Sequence, residues 1–378
     1  VREAAARVKE AAHRIGFDAV GIARADRSED ADRFREWIAR RFHGEMAWME
    51  REPEKREDPR AYMPGARSVV CVAQSYFVEA TSPPPADRGE ISNYARGEDY
   101  HVVLKDRLRG LSREIEGMGQ QAGSARANAR ACVDTSAVLE KSWAERAGVG
   151  WRGKNTLLIR EGIGSFVFLG EVVTDLDLEP DAPAPDQCGP CELCISTCPT
   201  GAIVAPYVLD SRRCISYLTI EHRGAIPAEL RPAIGNRVFG CDDCQSVCPW
   251  NRHARPTREM RYLPREGASS PLLAELLALT EEQFRARFRD TAVWRARREG
   301  LARNAAIALG NAGDRAGVPA LLRALAEDPS PVVRGHTAWA LGRLGGTEAR
   351  TALAGRLGSE PDAWARSEIE SSLGTLSE

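Results

Sequence analysis

Eight of the chain's ten cysteines lie between Cys188 and Cys248, and no other feature limits its fold as much. The first run is Cys188-x2-Cys191-x2-Cys194-x3-Cys198-Pro199. With this spacing three thiolates hold one [4Fe–4S] cluster and the fourth reaches a second cluster. The second run is Cys241-x2-Cys244-x3-Cys248-Pro249, with Val238 where a further cysteine is expected. Cys214, upstream, is the nearby thiol that can replace it. The count then closes on two clusters with four ligands each. The spacing predicts Cys188, Cys191, Cys194 and Cys248 on one cluster and Cys198, Cys214, Cys241 and Cys244 on the other. Structural zinc is the competing explanation of Cys-x2-Cys pairs, and the x2, x2, x3-Pro pattern disfavours it. Cys71 and Cys132 stand apart in apolar stretches and read as small buried hydrophobes.

The rest of the 378 residues suggests two or three domains. Residues 3–15 show helical periodicity, with Ala6, Val8, Ala11, Ala12 and Ile15 apolar, and Gly16 ends the helix. Strands are expected at 19–23, 68–73, 131–133, 156–159 and 166–169, with a loop over 80–90 and helices over 101–115 and 138–147. Residues 179–187 are Pro-rich, so a boundary is placed near 180. From about 301 the chain repeats with a strict offset of 32: Asn304–Gly310 aligns with His336–Gly342, Leu341 with Leu373, and Gly342 with Gly374. That period reads as stacked helical pairs of the HEAT kind. The expected architecture is multidomain α/β plus α: an α/β domain over 1–180, a ferredoxin-like module with two [4Fe–4S] clusters over 181–260, and HEAT-like helical repeats over 261–378.

Composition excludes some classes. Acidic residues number 54 against 52 basic, a net charge of −2, so a globally basic nucleic-acid binder is not indicated. No apolar run approaches the ~18 residues of a membrane span. The opening Val1-Arg2-Glu3-Ala4-Ala5-Ala6 lacks the apolar core of a secretory signal, and the expected location is the cytoplasm.

Several motifs carry two readings each. Gly148-Val-Gly150-Trp-Arg-Gly153 matches a dinucleotide-binding string, but a helix-like stretch precedes it and a strand follows, the reverse of what that site needs. The glycines are expected to shape a tight loop presenting Lys154 and Asn155. Asp134 follows a strand and precedes a helix-like stretch. On the residues alone a helix N-cap is favoured, with Glu140 and Lys141 on the helix surface; a general acid at a strand end is the functional alternative. Arginines cluster at 285, 287, 289, 295, 297, 298 and 303, either a solvated face or a phosphate-binding surface. The six histidines show no metal-binding spacing, and exposed or core roles are their default. The cobalamin signature Asp-x-His-x-x-Gly is absent.

Taken together, the chain resembles the epoxyqueuosine reductase family over nearly its whole length. The carriers are Gly16–Ala23, Lys55–Pro59, Pro64–Val69, Tyr94–His101, Val133-Asp-Thr135 with Val138–Lys141, Gly150–Lys154, Cys214–Ile220 and Gly240–Asn251. Ala137 departs from the pattern, standing where the family often has Pro. The resemblance implies reduction of the epoxide of epoxyqueuosine to queuosine at the tRNA wobble base, on cobalamin bound base-off with no protein histidine on cobalt. It implies an N-terminal cobalamin-binding domain and clusters fed by an external low-potential donor. Asp134 would then be the general acid, which near neutral pH requires a pKa raised by burial or by negative neighbours. Arg56, Gly97, Asp99, Lys154, Asn155, Ser216, Gly240, Asp242 and Asp243 carry over as cofactor contacts together with Asp134. The tRNA anticodon stem-loop would meet the HEAT-like helices and the Arg285–Arg303 run. A monomer is expected. The alternatives are a corrinoid reductive dehalogenase, a ferredoxin-type electron carrier, and a HEAT scaffold with structural clusters.

Overall fold

The strand Ser68–Ser75 is buried at every position, so its sheet needs cover on both faces. In the computed structural model, which describes residues 1–79, 84–121 and 127–376, that cover is helical on each side. The elements that build the sheet, its cover and the adjoining hairpin are α1 (Arg2–Ile15), β1 (Ala19–Arg24), β2 (Ser68–Ser75), α2 (Tyr100–Gln121), β3 (Ala129–Cys132), α3 (Glu140–Arg146), β4 (Trp151–Arg152), β5 (Leu158–Ile159) and β6 (Val167–Thr174). Strands β1, β2, β6 and β3 form one antiparallel sheet in that order. Part of the expected 80–90 loop lies outside the described residues.

Two details of the expectation shift. Helix α1 buries Ala5 with Val8, Ala11 and Ala12, while Ala6 is exposed; one methyl resists such a rotation of the apolar face only weakly. The strand expected at 156–159 shortens to Leu158–Ile159, because Thr156 takes φ 66° in the turn between β4 and β5.

One register row crosses the sheet: Gly21 faces Cys71, Cys71 faces Glu171, and Glu171 faces Cys132. Helix α3 covers this row. Gly21 admits it, since a Cβ there would stand 1.9 Å from the Ala147 carbonyl oxygen. Trp143 and Ala144 pack with Cys71, Cys132 and Val173 in one buried cluster, so the two isolated cysteines are packing residues. Helix α2 covers the opposite face, where a Cβ on Gly170 would meet Leu108 at 2.6 Å.

The chain divides into two compact units, each discontinuous in sequence. The first comprises residues 1–79, 98–210 and 243–263, the second 80–97, 211–242 and 264–378. The Pro-rich stretch after β6 has no helix or strand, but it is fastened within the first unit. Asp181 accepts the Ile22 N–H at 2.9 Å and pairs with Lys9 at 2.5 Å.

The second unit contains α4 (Arg297–Ala312), α5 (Val318–Glu327), α6 (Pro331–Leu344), α7 (Thr347–Leu357) and α8 (Ala363–Thr375). Helices α4, α6 and α8 pack in one layer, with α5 and α7 in another. The repeated glycine has a steric cause at Gly310 and Gly342, though not at Gly374, where a Cβ would meet nothing within 4 Å. A Cβ on Gly310 would stand 2.9 Å from the Ala340 Cα, and one on Gly342 would stand 2.9 Å from the Ser372 Cβ. Helix α4 also serves as a polar clamp. Arg303 donates to the carbonyls of Leu218, His222 and Gly224, and Asn304 to those of Thr219 and Val238. Arg303 is 1% exposed and cannot belong to a phosphate-binding surface.

Between repeats, Arg334 grips Glu360 through two hydrogen bonds of 2.7 and 2.6 Å, and Arg356 adds a third at 3.0 Å. The side chains are 7% and 0% exposed. The Arg334 hydrogen bond outweighs burial and draws the Glu360 pKa down to about 2. A depressed carboxyl pKa gives stability that is present above the unfolded value near 4.5 and is lost as pH falls through the folded value. Glu360→Gln is therefore expected to destabilise the chain by ~3 kcal/mol at pH 7, as when one partner of a buried pair is removed. In denaturant unfolding, the gap to wild type should narrow between pH 5 and pH 2.

Candidate active site and cluster sites

The segment 133–139 joins β3 to α3. Leu139, not Asp134, holds the N-cap position of α3, and it makes no side-chain cap bond. The expected cap fails because the linking loop is too long. Asp134 instead takes φ 40°, a left-handed conformation that costs a non-glycine residue of order 1–3 kcal/mol and persists only where its surroundings fix it. Two contacts do so. The Asp134 N–H donates to Glu140 Oε1 at 2.5 Å, and Oδ2 meets His101 Nε2 at 3.0 Å. His101 Nδ1 in turn meets Asp99 Oδ1 at 2.7 Å, and that oxygen also accepts the His101 N–H at 3.0 Å. Tyr100 stacks on the imidazole at 4.1 Å and on Phe168 at 4.3 Å.

The charges respond to this packing. Burial opposes charging of His101, but hydrogen bonds to Asp134 and Asp99 outweigh it and carry the ring's pKa up to about 9. Burial and the neighbouring Asp134 charge push Glu140 up to about 7. Beneath α3, Glu171 is wholly buried with neither oxygen partnered, and burial drives its carboxyl well above the usual range. Lys141 keeps exposed surface, yet the protein packed around it lowers its pKa. Arg56 donates from Nη2 to the Trp48 carbonyl at 3.1 Å, and its buried Nε has no partner. Reading the histidines as default surface or core groups thus fails for His101, and reading Glu140 as a plain surface residue fails too. The sequence signals for His101 were its place two residues after Asp99 and at the end of the Tyr94–His101 stretch that carries the family resemblance.

In the same unit, Cys188, Cys191, Cys194 and Cys248 line one small cavity with Lys154, Asn155, Ile159 and Trp250. The β4–β5 hairpin delivers Lys154 and Asn155 there. Its glycines are forced by contact: a Cβ on Gly150 would stand 2.3 Å from the Ile159 carbonyl oxygen. The dinucleotide-like string is thus a hairpin turn. Asn155 Nδ2 donates to the Cys244 carbonyl at 3.1 Å. Burial pushes the thiols of Cys188, Cys194 and Cys248 up, so metal binding itself would supply the drive to thiolate. Among the described residues, no three His, Cys, Asp or Glu side chains could hold a metal ion. A zinc site needs four sulfurs within ~2.3 Å of one ion, whereas a cubane spreads its ligands over four irons. Cys198 and Cys244 belong to the first unit, Cys214 and Cys241 to the second; the Cys198 sulfur accepts the Ala202 N–H at 3.3 Å.

Asp243 lies in the first unit, and Gly97, Ser216, Gly240 and Asp242 in the second. The Asp242 carboxylate accepts the Ser92 hydroxyl at 2.6 Å and the Asn93 N–H at 2.7 Å, so it fixes a loop. Gly240 has φ 74°, and a Cβ there would meet Ser92 at 2.5 Å.

The second unit carries a groove of about 1120 Å³ lined by Phe284, Arg285, Trp294, Arg295, Arg297, Arg298 and Arg323 among others. The arginine run is not one basic face. Arg285 pairs with Glu281, Arg287 with Glu275, Arg295 with Glu221 and Arg298 with Asp328. Arg297 and Arg323 stay exposed, and Arg297 takes φ 61°, ψ 165°, a region that strongly favours glycine. Trp294, 41% exposed, stacks on Phe284 at 5.4 Å.

Comparison with known proteins matches these parts. The family model described as epoxyqueuosine reductase QueG covers residues 56–135, a 4Fe-4S double cluster binding domain covers 187–251, and HEAT repeats cover 291–374. The epoxyqueuosine reductase of Pseudomonas aeruginosa is 44% identical over 346 residues, 90% of this chain and 94% of that one. The chain belongs to the epoxyqueuosine reductase family. The Escherichia coli K12 epoxyqueuosine reductase is 41% identical over 90% of this chain and 89% of its own. A crystal structure of epoxyqueuosine reductase with an epoxyqueuosine-modified tRNA-Tyr stem loop matches with a TM-score of 0.90 at 33% identity, covering 98% of both chains. Another, from Bacillus subtilis, shows its catalytic aspartate loop swung out of the active site (TM-score 0.88, 32% identity, 98% of both chains). Epoxyqueuosine reductases are oxidoreductases, and this chain combines a double-cluster domain with HEAT repeats.

Cys194→Ser is expected to remove one cluster and so to halve the iron per chain, while Cys71→Ala leaves the iron unchanged. Full iron in the Cys194 variant, by iron assay and electron paramagnetic resonance, contradicts the ligand assignment.

Proposed function

We propose that the chain reduces epoxyqueuosine to queuosine at the wobble position of tRNA, the final step in making that nucleoside, on cobalamin supplied with electrons through two [4Fe–4S] clusters. The observation that carries the reading is the likeness over 98% of both chains to a reductase that holds an epoxyqueuosine-modified stem loop. We take the working enzyme to be a cytoplasmic monomer fed by an external low-potential donor. Among the described residues no helix is long and apolar enough to cross a membrane.

The residues fit a corrinoid. The Arg56 Nε is a buried donor without an acceptor, within electrostatic reach of Asp134, and an acceptor group on a bound cofactor would satisfy it. The cofactor contacts proposed are Arg56, Asp99, Lys154, Asn155 and Asp243 in the first unit, and Gly97, Ser216, Gly240 and Asp242 in the second. Since the Asp242 carboxylate is engaged by Ser92 and Asn93, that residue would act by shaping its loop. When bound and reduced, cobalamin supplies a strongly nucleophilic metal centre of the kind that opens epoxides. Asp134 is the proton donor to the oxygen released on ring opening. Its side chain is 54% exposed, so a substrate oxygen can reach it, and His101 and Glu140 hold it in place.

In the second unit, Arg297 and Arg323 offer uncommitted charge to backbone phosphates, and Trp294 offers a ring face to an unstacked base. A reductive dehalogenase is not favoured, because the curated relatives matching about 90% of the chain are epoxyqueuosine reductases. A plain electron carrier would leave the Asp134 arrangement without a task.

Asp134→Asn is expected to keep iron and bound cobalamin and to lose at least ~100-fold in turnover, the scale of a general acid. The readout is the mass of the modified nucleoside after anaerobic incubation of epoxyqueuosine tRNA with cobalamin and reductant, where turnover removes one oxygen. Wild-type protein that removes none contradicts the function; a variant as fast as wild type contradicts the acid. Replacing both Arg297 and Arg323 by Gln should weaken stem-loop binding and lower its log–log salt slope by about 1.5.

A further inference from the structure

Removing an epoxide oxygen as water is not a one-proton reaction. Two C–O bonds break, a C=C bond forms and the oxygen leaves as water, so two electrons and two protons enter. The external low-potential donor supplies the electrons. Asp134 carries one acidic proton, and after giving it up it is a carboxylate that must be protonated again before turnover is complete. Its neighbours decide the source. Glu140 meets Asp134 at the backbone N–H, which is not a path to the carboxyl oxygens. His101 Nε2 faces Oδ2 itself at 3.0 Å.

We propose that His101 reprotonates Asp134 within each turnover, passing the Nε2 proton to Oδ2 while Asp99 holds the ring at Nδ1. The proposal rests on the epoxide-reductase reading. It makes His101 a positioning and relay residue acting through Asp134. The ring is aimed by Asp99 at 2.7 Å and by the Tyr100 stack. Its side chain is one-third exposed, so the neutral ring left by transfer can recover its proton from solvent. The charges around it come from three sides: Asp99 before α2, Asp134 and Glu140 on the β3–α3 side, and Arg56 with Lys141 acting through Asp134. The carboxylates prevail and the ring is an imidazolium at neutral pH, with a pKa of about 9. Transfer to Asp134 alone is uphill; the strongly basic oxygen leaving the substrate draws the proton through.

His101→Gln keeps a hydrogen-bond donor at similar reach without an acidic proton. It should retain iron, bound cobalamin and the KM for the stem loop, while kcat falls at least about tenfold. The alkaline limb of the kcat profile should move at least one pH unit toward acid. Independently of turnover, 15N-histidine NMR of the oxidised holoenzyme should show one imidazole titrating near pH 9 that is missing in His101→Gln. The same resonance should titrate at least one unit lower in Asp99→Asn, which keeps the ring if the first variant fails to fold. A ring that titrates near 6.5, or an alkaline limb that does not move, overturns the relay. A wild-type enzyme that converts no epoxyqueuosine overturns the reading beneath it, whereas one that converts beside an equally fast His101→Gln overturns the relay alone.

Discussion

Asp134 takes φ 40°, the left-handed region that disfavours most residues other than glycine, and two hydrogen bonds hold it there. The first unit is arranged around that clamp. Strand β3 carries the aspartate to the sheet's edge. Helix α3 covers one face and delivers Glu140; helix α2 covers the other and delivers His101. Each helix is seated by a glycine in the sheet, Gly21 under α3 and Gly170 under α2. A side chain at either position would lift its helix and move one arm of the clamp. The buried Glu171 lies in the same register row as Gly21, Cys71 and Cys132, so small residues make room for a carboxyl whose pKa burial raises.

The same economy of small residues recurs at the hairpin that lines the Cys188 cavity and at the helix crossings of the second unit. Gly150 lets two hairpin strands close, and Gly310 and Gly342 let consecutive HEAT-like helices touch. Helix α4 ties Leu218, Thr219 and Val238 through Arg303 and Asn304, and so steadies the stretch between Cys214 and Cys241. The repeats therefore do structural duty for a cysteine-bearing segment as well as presenting a groove.

Much of this was legible in the sequence. The cysteine spacing, the 32-residue repeat and the reversed glycine string each led to the element observed, because each is a local rule with a local cause. The Asp134 loop was not. A strand, an acidic residue and a helix-like stretch in that order suit a cap, and only the position of the first turn of α3 shows that the loop is too long for one. His101 was missed because its partners are far apart in the chain, Asp134 standing 33 residues on. Arg303 was misjudged for the opposite reason. It sits in a run of arginines whose members look alike, yet burial assigns it to three carbonyls while Arg297 faces solvent. Composition does not separate such neighbours; packing does.

Both nitrogens of His101 are committed to carboxylates, which leaves neither for cobalt in the proposed cobalamin complex. Electron paramagnetic resonance of the cob(II)alamin complex tests this directly. The expected spectrum shows cobalt hyperfine lines without nitrogen splitting from His101. A three-line nitrogen splitting that vanishes in His101→Gln would place the ring on the metal and contradict it.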